Sequence, residues 1–256
     1  MARMSGVPYL GIADNGLMSR HDIVVVHTIV GYQSGGNAAH WTTGASGRIV
    51  QARDTRYRSA ANLNGNWHCL AIENEDTGPA YKWVGGEVPR FTASQAEAIA
   101  KILVWSHRVH NIPLALVPDS KVGRRGVAYH RQGIDGNFSG YDYRGRVPGG
   151  ELWSSKLGKV CPGDQRIKQL ITEIIPRARA LAGLEDDDMT PNDLFNTRVG
   201  TDGNTAFDSW NAKPGTFGHY LRGQRQRVDQ VEPKLAEMSS KLDALTAKLD
   251  ELLARP

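Results

Sequence analysis

The run Ile23-Val24-Val25-Val26, which leads into His27, constrains the fold of this chain more than any other stretch. Four consecutive β-branched apolar residues are typical of a strand that is covered on both faces of a sheet. A second apolar stretch, residues 69–73, has the same character. The sequence therefore predicts an α/β fold, with a central mixed β-sheet flanked by helices.

Turn and capping signals place the remaining elements. Residues 41–43 and 48–51 flank the turn Gly44-Ala45-Ser46-Gly47, which predicts a hairpin. Thr92 and Gln95 have capping-box spacing and open an amphipathic helix that ends before Pro113. Residues 164–181 predict a second helix, with a kink at Pro176. Residues 1–20 look irregular.

A thiol lies at the centre of the most informative polar stretch, Lys159-Val160-Cys161-Pro162-Gly163. Thiolate is a soft ligand suited to zinc, and a neighbouring cation favours the ionised sulfur. The best partners are His27 and His130, each at the end of a strand-like segment. Two histidines and one thiolate fit a catalytic zinc with its fourth position left for water. The alternative, that each of these residues is ordinary core packing, stays open at this point.

Six short motifs occur along the chain in a characteristic order. Together they resemble the zinc-dependent N-acetylmuramoyl-L-alanine amidases of the peptidoglycan-recognition-protein type, and more narrowly the endolysins of phages that infect actinobacteria. The resemblance covers about residues 20–182 and not the C-terminal quarter. The motifs are Val-Val-Val-His27, Ala39-His40-Trp41, Gly47-Arg48-Ile49-Val50-Gln51, Leu70-Ala71-Ile72-Glu73, Tyr129-His130 and Lys159-Val-Cys161-Pro-Gly.

The resemblance implies a role for each site residue. His27, His130 and Cys161 are expected to hold Zn²⁺, which lowers the pKa of a bound water to roughly 7 and polarises the scissile carbonyl. Glu73 is expected to act as the general base, and Lys159 to stabilise the oxyanion. The substrate implied is the amide between N-acetylmuramic acid and L-alanine in peptidoglycan.

The expected site also depends on how Asp164, His40 and Ala39 are interpreted. Asp164 is the rival third ligand, but the motif places the ligand two residues after Lys159, so we interpret Asp164 as a helix N-cap. His40 is interpreted as structural. Many phage members have a tyrosine where this chain has Ala39, which favours the version of the site that uses Glu73.

Composition bounds the protein class. The 256 residues are 40% hydrophobic and 23% charged, as in globular proteins. No apolar run approaches the roughly 20 residues of a membrane span, and no signal-peptide pattern opens the chain. We therefore expect no membrane insertion, and a host-cytoplasmic protein that reaches the cell wall by holin-dependent release. Cys69 is interpreted as core packing, with both cysteines reduced.

The net charge of +4 is unevenly distributed. Residues 184–256 carry 9 basic and 13 acidic residues, which leaves 22 basic and 14 acidic residues in residues 1–183. A basic half attracts polyanions such as wall polymers, or simply confers solubility. No zinc-finger spacing, Arg-rich helix or RNP-like strand supports nucleic acid as a partner.

The end of the chain has a different pattern. Apolar residues alternate spacings of three and four, as in the a and d positions of a coiled coil. We predict a catalytic domain over 1–183, a linker or small wall-associated region over 184–227, and a coiled-coil helix over 228–256 that forms a homo-oligomer. The heptad residues are Val228, Val231, Leu235, Met238, Leu242, Leu245, Leu249 and Leu252.

Three alternative functions remain at the level of sequence. The chain could be a non-catalytic peptidoglycan-binding module, a virion-associated structural protein, or a cytoplasmic muropeptide-recycling amidase. A binding module typically loses a zinc ligand, and all three expected ligands are present here.

Overall fold

A computed structural model describes residues 2–30, 38–76 and 88–184 of the chain. Six strands form one mixed sheet in the order β1-β4-β3-β5-β2-β6, and only the β3–β4 pair is antiparallel. The predicted α/β fold is thereby confirmed for these residues. The strands are β1 Tyr9–Ile12, β2 Ile23–Val30, β3 Trp41–Thr43, β4 Ile49–Arg53, β5 Cys69–Asp76 and β6 Gly126–Tyr129.

Strand β2 lies between β5 and β6, and its buried side chains alternate between two apolar clusters. Val24 and Val26 belong to the larger cluster, which also contains the buried residues of the α-helices. Ile23 and Val25 belong to a smaller cluster that includes Trp153. Among the described residues, the apolar side chains of the α-helices pack on one face of the sheet, and the smaller cluster covers the other. His27 continues the alternation on the face opposite the helices.

The predicted hairpin is confirmed by β3 and β4. The amide of Gly44 donates to the carbonyl of Arg48, and the amide of Gly47 donates to the carbonyl of Gly44. Gly47 has φ +84°, and a Cβ there would lie 2.7 Å from the carbonyl oxygen of Ser94. Only glycine suits this turn, which lets the start of the first helix pack against it.

Helix α1, Ala93–His110, starts where the capping signal predicts. The Thr92 hydroxyl accepts from the amide of Gln95 at 3.1 Å, but the Gln95 side chain donates to the strand carbonyls of Thr43 and Glu75 instead of completing a capping box. The helix ends at His110, and its C-cap Asn111, whose φ of +54° is left-handed, lies two residues before Pro113.

The second predicted helix is divided into three parts. Helix α2 covers Asp164–Gln169, a π-helical turn covers Leu170–Ile174, and helix α3 covers Ile175–Ala182. Pro176 has no amide hydrogen and its ring crowds the preceding turn. The wider π turn relieves that crowding, so the irregularity lies just before the proline.

Other expectations have mixed outcomes. Strand β1 is an exposed edge strand within the region predicted to be irregular, and its mostly exposed side chains give no periodic signal. No helix in residues 2–30, 38–76 and 88–184 combines the length and apolar character needed to cross a bilayer. The predicted linker and coiled coil, from residue 185 onward, lie outside the described residues.

Candidate metal centre

Three chain segments bring His27, His130 and Cys161 together. His27 lies in β2, His130 follows β6 directly, and Cys161 lies in the turn that precedes α2. One ligand atom from each residue lies within 4.8 Å of the other two. All three side chains are buried. Ligand atoms on a tetrahedral zinc are about 3.5 Å apart, so a small contraction of this group would accommodate the ion.

Each histidine uses one ring nitrogen in a hydrogen bond, and its other ring nitrogen makes no hydrogen bond with the described residues. Nε2 of His130 donates to the carbonyl of Trp153 at 3.0 Å, and Nε2 of His27 lies 2.9 Å from Oδ1 of Asn62. The Nδ1 atoms of both rings are buried and have no hydrogen-bond partner in the described part of the chain. Buried polar atoms are normally satisfied, so two orphaned nitrogens beside one thiol indicate a ligand.

The electrostatic environment keeps both imidazoles neutral, the form that binds metal. Burial lowers the pKa of His130 to about 3, and the nearby charge of Lys159 acts in the same direction. The pKa of His27 is also well below its ordinary value, because of burial, then His130 and Lys159.

The sulfur of Cys161 accepts from the backbone amide of Thr28 at 3.3 Å. Burial raises the pKa of this thiol to about 11, although Lys159 opposes the shift. The metal-free thiol is therefore protonated at neutral pH, and a metal ligand there would have to lose its proton.

Arg131 holds the turn that carries Cys161. Its guanidinium is fully buried, and Nε and Nη2 donate to the carbonyl of Val160 at 3.2 and 2.6 Å. The rings of Phe138 and Tyr141 lie 5.4 and 5.0 Å from the guanidinium carbon. Residues 133–158, which link His130 to Cys161, thus supply part of the framework of the site.

Asp164 is occupied by other partners. Its carboxylate pairs with Arg131 and accepts from the amide of Asp142 at 2.8 Å. It does not belong to the group of possible metal ligands that contains Cys161. The N-cap interpretation was wrong by one residue, because Gly163 is the N-cap and Asp164 is the first residue of α2.

Glu73 lies on β5, directly opposite His27 on β2. Its Oε1 is 3.7 Å from Nδ1 of His27, and its Oε2 is buried without a hydrogen-bond partner among the described residues. Burial raises the pKa of Glu73 to about 7, with Lys159 opposing the shift. Lys159 itself is partly exposed. Its charge affects the pKa of both histidines, the thiol and the carboxyl, so the five predicted site residues share one electrostatic environment.

His40 has the structural role predicted for it. Its Nε2 donates to the carbonyl of Tyr57 at 2.9 Å, and its Nδ1 accepts from the amide of Ala71 at 3.0 Å. Both ring nitrogens are therefore used by the backbone. Burial lowers the pKa of His110, in the last turn of α1, to about 4, so this ring is neutral at pH 7.

Cys69 is buried in the smaller apolar cluster, as predicted, but it also adjoins His68 and Glu151. This second group differs from the first because its polar atoms have partners. Nε2 of His68 is 2.6 Å from Glu151, and Nδ1 is 3.2 Å from Asp22. Trp67 also donates to Glu151. The group is a hydrogen-bonded network and does not call for a metal.

Sequence reasoning missed Asn62, Trp153, Arg131 and Thr28 as contributors to the site. Asn62 lies in the turn before β5, and Trp153 lies in the segment between His130 and Cys161. Only a general rule could have pointed to such residues: a metal-binding histidine needs a hydrogen-bond acceptor for its second ring nitrogen. Nothing in the spacing of the residues identifies which acceptor that is.

Comparisons with known proteins find remote structural likeness alone. No protein-family model and no curated protein matches this chain. The N-acetylmuramoyl-L-alanine amidase LysC from Clostridium intestinale is 10% identical, with 71% of this chain and 100% of that chain covered and a TM-score of 0.42. Staphylococcus aureus hydrolase AmiA, solved with its ligand, is 15% identical, with coverage of 73% and 88% and a TM-score of 0.46. Drosophila peptidoglycan recognition protein SD is 13% identical, with coverage of 66% and 99% and a TM-score of 0.39.

Proposed function

We propose that the chain is a zinc-dependent hydrolase that cleaves the amide between N-acetylmuramic acid and L-alanine in peptidoglycan. The observation that carries this proposal is that the buried Nδ1 atoms of His27 and His130, beside the thiol of Cys161, have no hydrogen-bond partner among the described residues. Because the structural likenesses are remote, the chemistry is argued from these contacts and the substrate from the sequence motifs.

The ligand set supports zinc in particular. Two neutral imidazoles and one thiolate are donors that zinc accepts readily, and three protein ligands leave a fourth position open, as in catalytic sites. When bound, zinc supplies Lewis-acid activation of a water and of the scissile carbonyl. The amide of Thr28, which donates to the sulfur of Cys161, favours the thiolate form that binding requires.

Glu73 is proposed as the group that removes and returns a proton. Its position on the strand next to His27 fixes the carboxyl at the edge of the ligand group. A pKa of about 7 suits a base that must accept a proton and later donate it to the leaving amine at neutral pH. A purely structural carboxylate in this place would be expected to pair with a cation or several amides, whereas Oε2 has no such partner among the described residues.

Lys159 is proposed to stabilise the negative charge that develops on the scissile carbonyl oxygen. It is partly exposed, so its side chain is accessible to a substrate, and its charge reaches the whole ligand group. The same charge favours ionisation of Cys161 and Glu73, so one side chain supports both metal binding and the base.

The finer biology follows from the resemblance. We infer a phage endolysin, made in the host cytoplasm and released to the wall through a holin, with peptidoglycan as its partner. The heptad pattern of residues 228–256 supports a homo-oligomer. A cytoplasmic recycling amidase would share the catalytic site but has no evident use for such a tail.

The test measures zinc content and product formation on the same purified chain. We expect about one zinc per chain and release of free stem peptide from a muramoyl peptide, identified by mass spectrometry. A strong chelator should abolish release, and stoichiometric zinc should restore it. Zinc-independent cleavage would refute the mechanism. Binding of peptidoglycan without cleavage would favour the non-catalytic module.

A further inference from the structure

We infer that Asn62 is a positioning residue, whose side-chain carbonyl selects the tautomer of His27 that leaves Nδ1 able to bind metal. The inference rests on the proposed metal centre and adds to it a residue from outside the ligand set. Asn62 lies in the turn before β5, 35 positions along the chain from His27.

Asn62 is fully buried and has one polar contact with the centre. Its Oδ1 lies 2.9 Å from Nε2 of His27. The backbone amide of Asn62 donates to Oδ1 of Asn66 at 2.8 Å, which fixes the turn from which the side chain projects. The Nδ2 of Asn62 is buried and has no partner in the described residues.

The orientation of this amide decides whether the site can work. With Oδ1 towards the ring, Nε2 must donate a proton, and the lone pair of Nδ1 is free. With Nδ2 towards the ring, Nε2 must accept, which forces the proton onto Nδ1 and blocks metal binding. His130 has no such ambiguity, because its partner is the backbone carbonyl of Trp153, which can only accept. Of these two hydrogen-bond partners, Asn62 is therefore the one that could hold its histidine in the tautomer that cannot bind metal.

The turn that carries Asn62 is strained and tightly packed. Leu63, the next residue, has φ +40° and a side chain that is 44% exposed. A leucine in this conformation is unfavourable, and its exposure gains little apolar burial in return. Such strain persists where the surrounding structure imposes it.

Trp153 packs against this turn. A Cβ on Gly65 would lie 2.6 Å from Nε1 of Trp153, so the turn packs directly on that ring. The amide of Asn64 also donates to the carbonyl of Leu152 at 3.1 Å. The acceptors for His27 and His130 thus belong to one packed unit, which sets both histidine tautomers together.

Two substitutions separate the accepting role from a merely structural one. Asn62→Leu keeps the size but removes the acceptor, and we expect a roughly 10–100-fold loss of zinc affinity. Asn62→Asp can only accept, and it should restore most of that affinity. Asn64→Ala is the matched control, because it changes an exposed side chain of the same turn without touching Asn62 or a histidine. It should leave zinc affinity within about threefold, below the range for a lost histidine partner.

The measurements are zinc affinity, by competition with a chromophoric chelator, and the tautomer of His27, by long-range ¹⁵N–¹H correlation of the imidazole rings. We expect the metal-free wild-type chain to carry its proton on Nε2 of His27, and the metal-free Asn62→Leu chain to show a mixture of tautomers. Unchanged affinity and tautomer in Asn62→Leu would overturn the inference while the metal centre stands. If the wild-type chain binds no zinc, the proposed function fails, and the inference fails with it.

Discussion

His27 and Glu73 occupy paired positions on the neighbouring parallel strands β2 and β5, with Nδ1 of the histidine 3.7 Å from Oε1 of the glutamate. Residues paired in this way face the same side of a sheet. A one-residue slip of either strand would turn one of the two side chains to the opposite face. Backbone hydrogen bonds of the sheet therefore fix the distance between a proposed ligand and the proposed base.

Replacing Glu73 by Gln should separate chemistry from metal binding. The substitution keeps the shape of the side chain but removes its ability to accept a proton, so we expect turnover to fall by roughly 100-fold or more with zinc content unchanged. Glu75→Gln is the matched control on the same strand, and it should keep nearly full activity. Near-normal turnover in Glu73→Gln would mean that another group carries the proton.

Arg131→Met should destabilise the protein and lower its affinity for zinc. The substitution removes the donors to Val160 and leaves the carboxylate of Asp164 without its buried partner. We expect the free energy of unfolding to fall by about 3 kcal/mol, as for broken buried charge networks. Urea titration of the metal-free chain measures this loss.

A matched control for Arg131→Met is available on the surface. Arg177 pairs with Glu97, and both side chains are substantially exposed. Arg177→Met should lower the free energy of unfolding far less than Arg131→Met does, as is usual for exposed ion pairs. Equal losses in the two variants would contradict a framework role for Arg131.

His40 should contribute to acid sensitivity. Its pKa is about 3 in the folded chain, because of burial, against an ordinary value of 6.5. The unfolded chain therefore takes up the proton first, and stability present above pH 6.5 is lost as the pH falls towards 3. Below pH 6, the loss of free energy of unfolding due to His40 approaches about 1.4 kcal/mol for each unit by which the pH falls.

His40→Gln tests that contribution. The variant lacks the titrating ring, so its free energy of unfolding should fall less steeply between pH 6 and 4 than that of the wild-type chain. Both are measured by denaturant titration without metal, because zinc binding is itself pH-dependent. Parallel slopes would show that His40 does not govern this range.

The tail from Val228 should make the protein oligomeric without taking part in chemistry. Eight a and d positions supply a continuous apolar seam, with a dimer expected first and a trimer or tetramer next. Light scattering at micromolar concentration should report an oligomer for the full chain and a monomer after truncation at Gly183. The truncated form should cleave soluble muropeptides normally but clear intact walls more slowly, because linked catalytic heads raise the effective concentration at a repetitive surface.

Contrary results would be informative in different ways. A monomeric full chain would exclude the coiled coil. Loss of activity on soluble muropeptides after truncation would place part of residues 184–256 in the catalytic domain and move the predicted boundary.

Much of the central sheet could be predicted from local sequence, because buried β-branched strands such as β2 leave a clear signal. Strand β1 could not, since its side chains are exposed and show no alternation. The apolar pattern of residues 164–182 predicts one helix with an irregularity at Pro176. It does not predict the π turn that divides the helix just before that proline.

Some residues of the candidate site could likewise be predicted from the sequence, and others could not. The motifs named five residues that the structure brings into one electrostatic environment. Asn62, Trp153 and Arg131 could not be predicted, because their contacts with the ligand residues depend on how loops distant in sequence pack together. Ligand types can be read from a sequence, whereas the acceptors that orient them require the fold.

The most direct test of the account is the zinc affinity of three chains: wild type, Cys161→Ser and Asp164→Ala. We predict about one tightly bound zinc in the wild-type chain and in Asp164→Ala, and loss of most of the metal in Cys161→Ser, because a neutral hydroxyl is a poor substitute for thiolate. Full occupancy in Cys161→Ser together with loss in Asp164→Ala would move the third ligand to Asp164 and contradict the site described above.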